Sequence, residues 1–263
     1  MASRGVAAPV GVRGVGGSTV GGQGAQPPTA TPMSMPPALF LSASNKKVDV
    51  DYQATMHKLY KELFEKLCAA IVDAHVQWKN QARFAGITIQ GPIASGGRVE
   101  GPSMEGLVKA SPAVSGWADW NAGVRDACAA GFANCWTDMQ RSIKVPGLRW
   151  YPSFAAVPGR FAAPKANVPT PMSALTVNRD AMSAEKLKSE ISSKLRGRNM
   201  DYADQFAGAL GKGIATAFDA WLSTQTIANV MGSGNVPTFA PPYVPVGPVV
   251  MGDNIATPGH FAG

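Results

Sequence analysis

Cysteine and histidine are scarce in this chain of 263 residues, three of each, and no two cysteines are spaced Cys-x-x-Cys. That is too little for a disulfide framework or a zinc site, and it disfavours the enzyme classes built on those residues. No catalytic residue, metal or cofactor is therefore expected. Long apolar runs are missing as well. No window approaches eighteen uninterrupted apolar residues, and the N-terminus lacks the ordered charged start, apolar run and small-residue cleavage site of a signal peptide. A secreted precursor and a membrane-spanning protein are both disfavoured. Charged residues are few, 16%, against 45% in the hydrophobic class, which suffices for the core of one or two modest domains.

Acidic residues are absent from residues 1–47, where Arg4, Arg13, Lys46 and Lys47 contribute +4 of the net charge of +7. Residues 110–178 contribute the other +3, from six basic and three acidic side chains, and the remaining segments balance. A nucleic-acid-binding domain would cluster its basic residues on one face. The balanced helical segments instead favour contacts with an acidic protein neighbour or plain solvation. Proline follows the same partition. Of 21 prolines, six lie in 1–47, six in 143–178 and six in 231–263. Because proline removes a backbone donor and breaks helices, these stretches divide the chain. The expected organisation is a basic Gly/Pro-rich arm at 1–47 and a helical region at 48–142 with a Gly/Pro loop at 86–114. A Pro-rich connector at 143–178, a second helical region at 179–230 and a C-terminal arm at 231–263 follow.

Three long helical patterns are predicted. Over 52–84, Met56, Leu59, Tyr60, Leu63, Phe64, Leu67, Ile71 and Val72 recur at three-and-four spacing. Over 115–142, Trp117, Trp120, Val124, Cys128, Phe132, Cys135 and Met139 do the same, with Ser115 as N-cap. Over 200–227 the series is Phe206, Leu210, Ile214, Phe218 and Trp221, weakened by Gly208, Gly211 and Gly213. A shorter helix is expected at 183–197. The fold class this implies is mainly α: a small body of three to four amphipathic helices with short extended segments and long Pro/Gly-rich arms.

The ends of the long helices resemble one another. Trp78, Trp136 and Trp221 are each followed nine residues later by a branched aliphatic, Ile87, Val145 and Val230, and three or four residues later by Gln81, Gln140 and Gln225. A Gly/Pro-rich stretch comes next each time. A divergent internal triplication would produce this succession; so would three amphipathic helices that each end in an aromatic plug. The unequal spacings exclude a solenoid of fixed period. The three tryptophans and the three aliphatics are the candidate interface residues. In the last stretch valine alternates with proline (Val236, Pro237, Val244, Pro245, Val246, Pro248, Val249), which suits an edge or an inter-subunit contact.

Few groupings suggest chemistry. His57 and His75 are eighteen residues apart, about 27 Å along a helix, so they cannot share a metal, and they read as surface or satisfied histidines together with His260. Cys128 and Cys135 lie about 10 Å apart on one helical stripe, too far for a disulfide, and read as small core residues. No serine sits in a Gly-x-Ser-x-Gly elbow. "GALGKGIAT", Gly208 to Thr216, has Gly213 where a phosphate loop needs Ser or Thr, and no strand precedes it. Asp49/Asp51 and Asp201/Asp204 read as charges at helix N-termini. The small residues around Gly208–Ala217 permit close helix packing, and with less support an amphipathic helix on a membrane.

A helical body with arms that are costly to order alone has the logic of a structural subunit in a large assembly. The texture of "GPIASGGRVEGP", the scattered Pro-Val segments and the acid-free arm resembles structural proteins of phages and phage-like contractile particles. That resemblance implies a virion or cytoplasmic assembly, with other copies of the chain or other structural subunits as partners, and nucleic acid and membrane as unlikely ones. A membrane-active or pore-forming protein and a nucleic-acid-binding protein are the alternatives.

Overall fold

The computed structural model describes residues 38–152, 162–236, 239–240, 244–245 and 249–261. Two compact units are distinguished, Met1–Tyr52 and Gln53–Gly263. In the first, residues 38–52 are helical, within the stretch expected to be an extended arm; residues 1–37 of that arm lie outside the described residues, as do Pro237, Val246 and Pro248 of the valine-proline tail. The account that follows concerns the second unit.

Among the described residues there are five α-helices, α1 (Ala38–Gln81), α2 (Met104–Ala110), α3 (Asp119–Ser142), α4 (Ala184–Leu195) and α5 (Ala203–Thr224). Each long helix forms where three-and-four spacing sets one apolar face toward the interior. On α1 that face is Leu63, Leu67, Ala70, Ala74 and Trp78, all buried. On α3 it runs from Val124 through Cys128, Phe132 and Cys135 to Met139, and on α5 from Phe206 through Leu210, Ile214 and Phe218 to Leu222. α4 is capped by Ser183, whose hydroxyl accepts from the Lys186 N–H. Ser115 is not the cap of α3: its N–H turns back to the Ser111 carbonyl, and the helix starts after Ala118 without a side-chain cap. Asp49 and Asp51 sit inside α1 rather than at its start, whereas Asp204 lies in the first turn of α5.

A mainly α body is not what forms. The helices accompany a six-stranded antiparallel sheet whose strands come from both ends of this unit. The strands are β1 (Arg83–Gln90), β2 (Ile93–Glu100), β3 (Val145–Arg149), β4 (Lys165–Ala166), β7 (Met231–Asn235) and β10 (Val250–Asn254). Their order is β3-β2-β1-β10-β7-β4. Two small ladders pair β5 (Thr170–Pro171) with β6 (Thr226–Ile227) and β8 (Phe239–Ala240) with β9 (Val244–Pro245). The stretch expected as a Gly/Pro loop at 86–114 is in fact most of the β1–β2 hairpin followed by α2, and the expected C-terminal arm supplies two interior strands.

Glycine explains both differences. At Gly91, φ is +59, so the chain reverses through the two-residue Gly91–Pro92 turn that sets Gln90 opposite Ile93. At Gly234 an added Cβ would lie 2.5 Å from the Gly252 Cα, so β7 and β10 approach closely only without side chains there. Side chains complete the ladder where the strands diverge. Asn254 accepts from the Ile87 N–H at 2.9 Å and donates to the Phe84 carbonyl at 2.7 Å, joining β10 to β1. Asn167 accepts from the Val230 N–H and donates to the Ile227 carbonyl, tying the connector to the chain after α5.

Candidate functional site

The three helix-terminal tryptophans converge. Trp78 and Trp136 meet edge to face with ring centroids 4.9 Å apart, and Trp221 lies 5.8 Å from Trp136 and 6.3 Å from Trp78. His75 joins them edge-on, 5.0 Å from Trp221 and 5.6 Å from Trp136. Phe132, Phe218 and Phe261 extend the cluster on its margins. Edge-to-face pairs set the positive rim of one ring against the negative face of the next and add about 0.5–1.5 kcal/mol each beyond area burial. The three helices are thus joined through one aromatic centre.

The aliphatics that follow each tryptophan go elsewhere. Ile87 on β1, Val145 on β3 and Val230 just before β7 are all buried, as are Trp78 and Trp136, while Trp221 is half-buried. None of the six candidate interface residues is exposed; they belong to the interior of this unit. The glutamines divide differently from their sequence spacing. Gln140 accepts from the indole N–H of Trp78, on another helix, at 2.9 Å, and donates to the Val99 carbonyl. Gln225 accepts from the indole N–H of Trp221, its own helical neighbour, at 2.8 Å. Gln81 is exposed at the end of α1.

Beside the aromatic centre is a cavity of about 180 Å³. α1 contributes Cys68, Ile71, Val72 and His75, α3 contributes Phe132 and Trp136, and α5 closes it with residues from Gly213 to Trp221. The lining is mostly apolar. Burial, with a smaller effect from the Lys79 charge, pushes the His75 imidazole down to about 4, so it is neutral at pH 7. His75 is not the satisfied histidine expected from the sequence, because its Nε2 is buried with no hydrogen-bond partner. The indole Nε1 of Trp136 is in the same position. Sequence reasoning singled out Trp136 for its place in the chain; the unpartnered nitrogens beside a cavity had no sequence signal.

The remaining chemistry-bearing residues stay apart. Cys128 and Cys135 are buried on α3, with burial raising their thiols to about 12 and about 11, far from a reactive thiolate at neutral pH. His260 is buried near the start of β1, where its Nδ1 accepts from the Phe84 N–H. The segment Gly208–Thr216 lies wholly inside α5, so its backbone N–H groups are committed to the helix rather than free for a phosphate. Among the described residues no group of three or more His, Cys, Asp or Glu is placed to hold a metal ion, and no helix is long and apolar enough to cross a membrane. No protein-family model matches the chain, and neither the curated proteins nor the solved structures contain a match to it.

Proposed function

We propose that this protein is a structural subunit of a larger protein assembly, a virion or phage-like particle being the kind its composition resembles, and that α1 carries a principal contact with neighbouring subunits. The observation behind this reading is the apolar side chains that α1 exposes outside its packed face. At 100° per residue the packed face from Ala70 through Leu67 to Trp78 spans about 80°, and Val72 and Val76 lie outside it, among Glu65 and Lys79. A helix packed on one side of a body needs little more than 100°. The remainder carries Val72 and Val76, 61% and 52% exposed. From Gln53 to Glu62 no residue is buried, although Met56 and Leu59 continue the apolar pattern. Apolar side chains left in water carry a cost, and an adjoining subunit removes it by covering them.

The test is the native mass of the full chain by light scattering, compared with a Val72→Glu/Val76→Glu double variant. A discrete mass well above 27.4 kDa that falls in the variant supports the reading. A wild-type chain that remains a monomer across a wide concentration range, alone and when purified gently from its source, overturns it.

A further inference from the structure

A second property does not depend on assembly: we infer that the cavity between α1, α3 and α5 binds a small uncharged hydrocarbon about one ring in size. Size, chemistry and access each support this. The cavity measures about 180 Å³, slightly more than an apolar cavity of about 150 Å³ that stays dry and admits benzene. It is too small for a nucleotide or other drug-sized ligand, whose pockets run from about 300 Å³ upward. Folded interiors are close-packed and keep few voids larger than a water molecule, so a preformed apolar space of this size is open to a guest that fits it.

The chemistry of the walls is that of hydrocarbon. Phe132, Trp136, Met182, Ile214 and Phe218 line the cavity and are buried, and none of its lining residues is Asp, Glu, Lys or Arg. The His75 imidazole, which burial holds down to about 4, is uncharged at pH 7. Nε2 of His75 and Nε1 of Trp136 have essentially no accessible surface, so neither is available to a polar guest. A hydroxyl or carboxylate placed in the cavity would lose its hydration without a replacement, whereas a hydrocarbon gains by leaving water. Aromatic walls also suit a flat ring through offset and edge-to-face contacts.

Access comes from the rim. Among the lining residues Val72 on α1 is 61% exposed, and Gly213 and Ala217 on α5 are exposed as well. Spaced four apart, those two small residues lie on one side of α5, and a Cβ added at Gly213 meets no atom within 4 Å. Gly213→Leu or Ala217→Leu would therefore cover the mouth from an exposed helical position, where a substitution costs the fold little. Cys68 lines the same cavity and is half-buried, whereas Cys128 and Cys135 are buried, so its alkylation reports whether the cavity is filled.

Isothermal titration of the full chain with toluene should show one saturable site, with phenol at least about fivefold weaker, the lower end of the cost of burying an unpaired hydroxyl. Iodoacetamide should alkylate Cys68 more slowly when toluene is present. Gly213→Leu should abolish toluene binding, and Ala217→Leu supplies the same comparison if that variant does not fold. No saturation with toluene, phenol bound as tightly as toluene, unchanged alkylation of Cys68, or undiminished binding by a folded leucine variant would overturn the inference. A chain that binds toluene while monomeric throughout leaves this site standing and removes only the assembly reading. A large native mass without toluene binding does the reverse.

Discussion

The backbone N–H of Phe84, at the start of β1, donates to Nδ1 of His260 at 2.9 Å across 176 residues of sequence. That bond needs Nδ1 to be unprotonated, and burial holds the imidazole down to about 4. In the unfolded chain the same group titrates near 6.5.

Acid should therefore weaken the fold through two histidines, half-buried His75 and buried His260. His75 and His260 have folded pKa values depressed to about 4, so between about pH 6.5 and 4 the unfolded state binds protons that the folded state does not. Their contribution is fully present above pH 6.5 and is lost as pH falls toward 4. Urea melts at pH 7.5 and pH 4.5 check this: the midpoint should drop at the lower pH, with a smaller drop in a His260→Gln variant.

Removing Gln140 should cost more than an exposed glutamine would. Gln140→Leu leaves the Trp78 indole N–H and the Val99 carbonyl without the partners they now have. Each buried group left unsatisfied costs about 1–3 kcal/mol. Gln81→Leu, at an exposed position, should stay within about 0.5 kcal/mol. Chemical denaturation of both variants makes the comparison.

Two glycines on α5 should respond in opposite directions to the same change. An added Cβ at Gly211 would sit 3.0 Å from the Ala184 carbonyl and 3.1 Å from the Lys188 nitrogen, against the backbone of α4. Gly211→Ala should destabilise by about 1–3 kcal/mol. Gly213 meets nothing, so Gly213→Ala should stabilise by up to about 1 kcal/mol through helix propensity alone. A rise in thermal midpoint for one and a fall for the other is the expected pair of results.

Asn254→Ala should open the sheet locally. The side chain holds the Ile87 N–H and the Phe84 carbonyl, and its loss exposes both. The Ile87 amide should exchange with deuterium faster than in the wild type, while amides in the middle of α3 change little unless the whole unit is destabilised.

Deleting residues 1–37, which leaves α1 (Ala38–Gln81) whole, should leave the unit Gln53–Gly263 folded by circular dichroism. On the assembly reading it should also lower the native mass. An unchanged mass would show that those residues are not needed for assembly.

The helices α3, α4 and α5 and most of α1 were legible because their signal is local, whereas α2 lay in a stretch read as a loop. A 3.6-residue period in α1, α3 and α5 records which side faces the interior whatever lies there, and the spacing of Leu187, Ile191 and Leu195 does the same for α4. The sheet was not legible. "IASGG" in β2, "MGSGN" in β7 and "VMGDN" in β10 lack the alternation of branched and aromatic residues that identifies a strand. Their glycines read as loops because freedom of the unfolded backbone is all that a glycine shows in isolation.

The sequence by itself determined the helical faces, the burial of Cys128 and Cys135, and the prominence of Trp78, Trp136 and Trp221 with Gln140 and Gln225. Tertiary structure alone decided that β10 lies beside β1 and that Gln140 serves a tryptophan on another helix. It also decided that the indole nitrogen of Trp136 is buried without a hydrogen-bond partner. The physical reason is range: periodicity and capping act within a few residues, whereas strand pairing, close glycine contacts and hydrogen-bond satisfaction are settled between segments as far apart as Phe84 and His260.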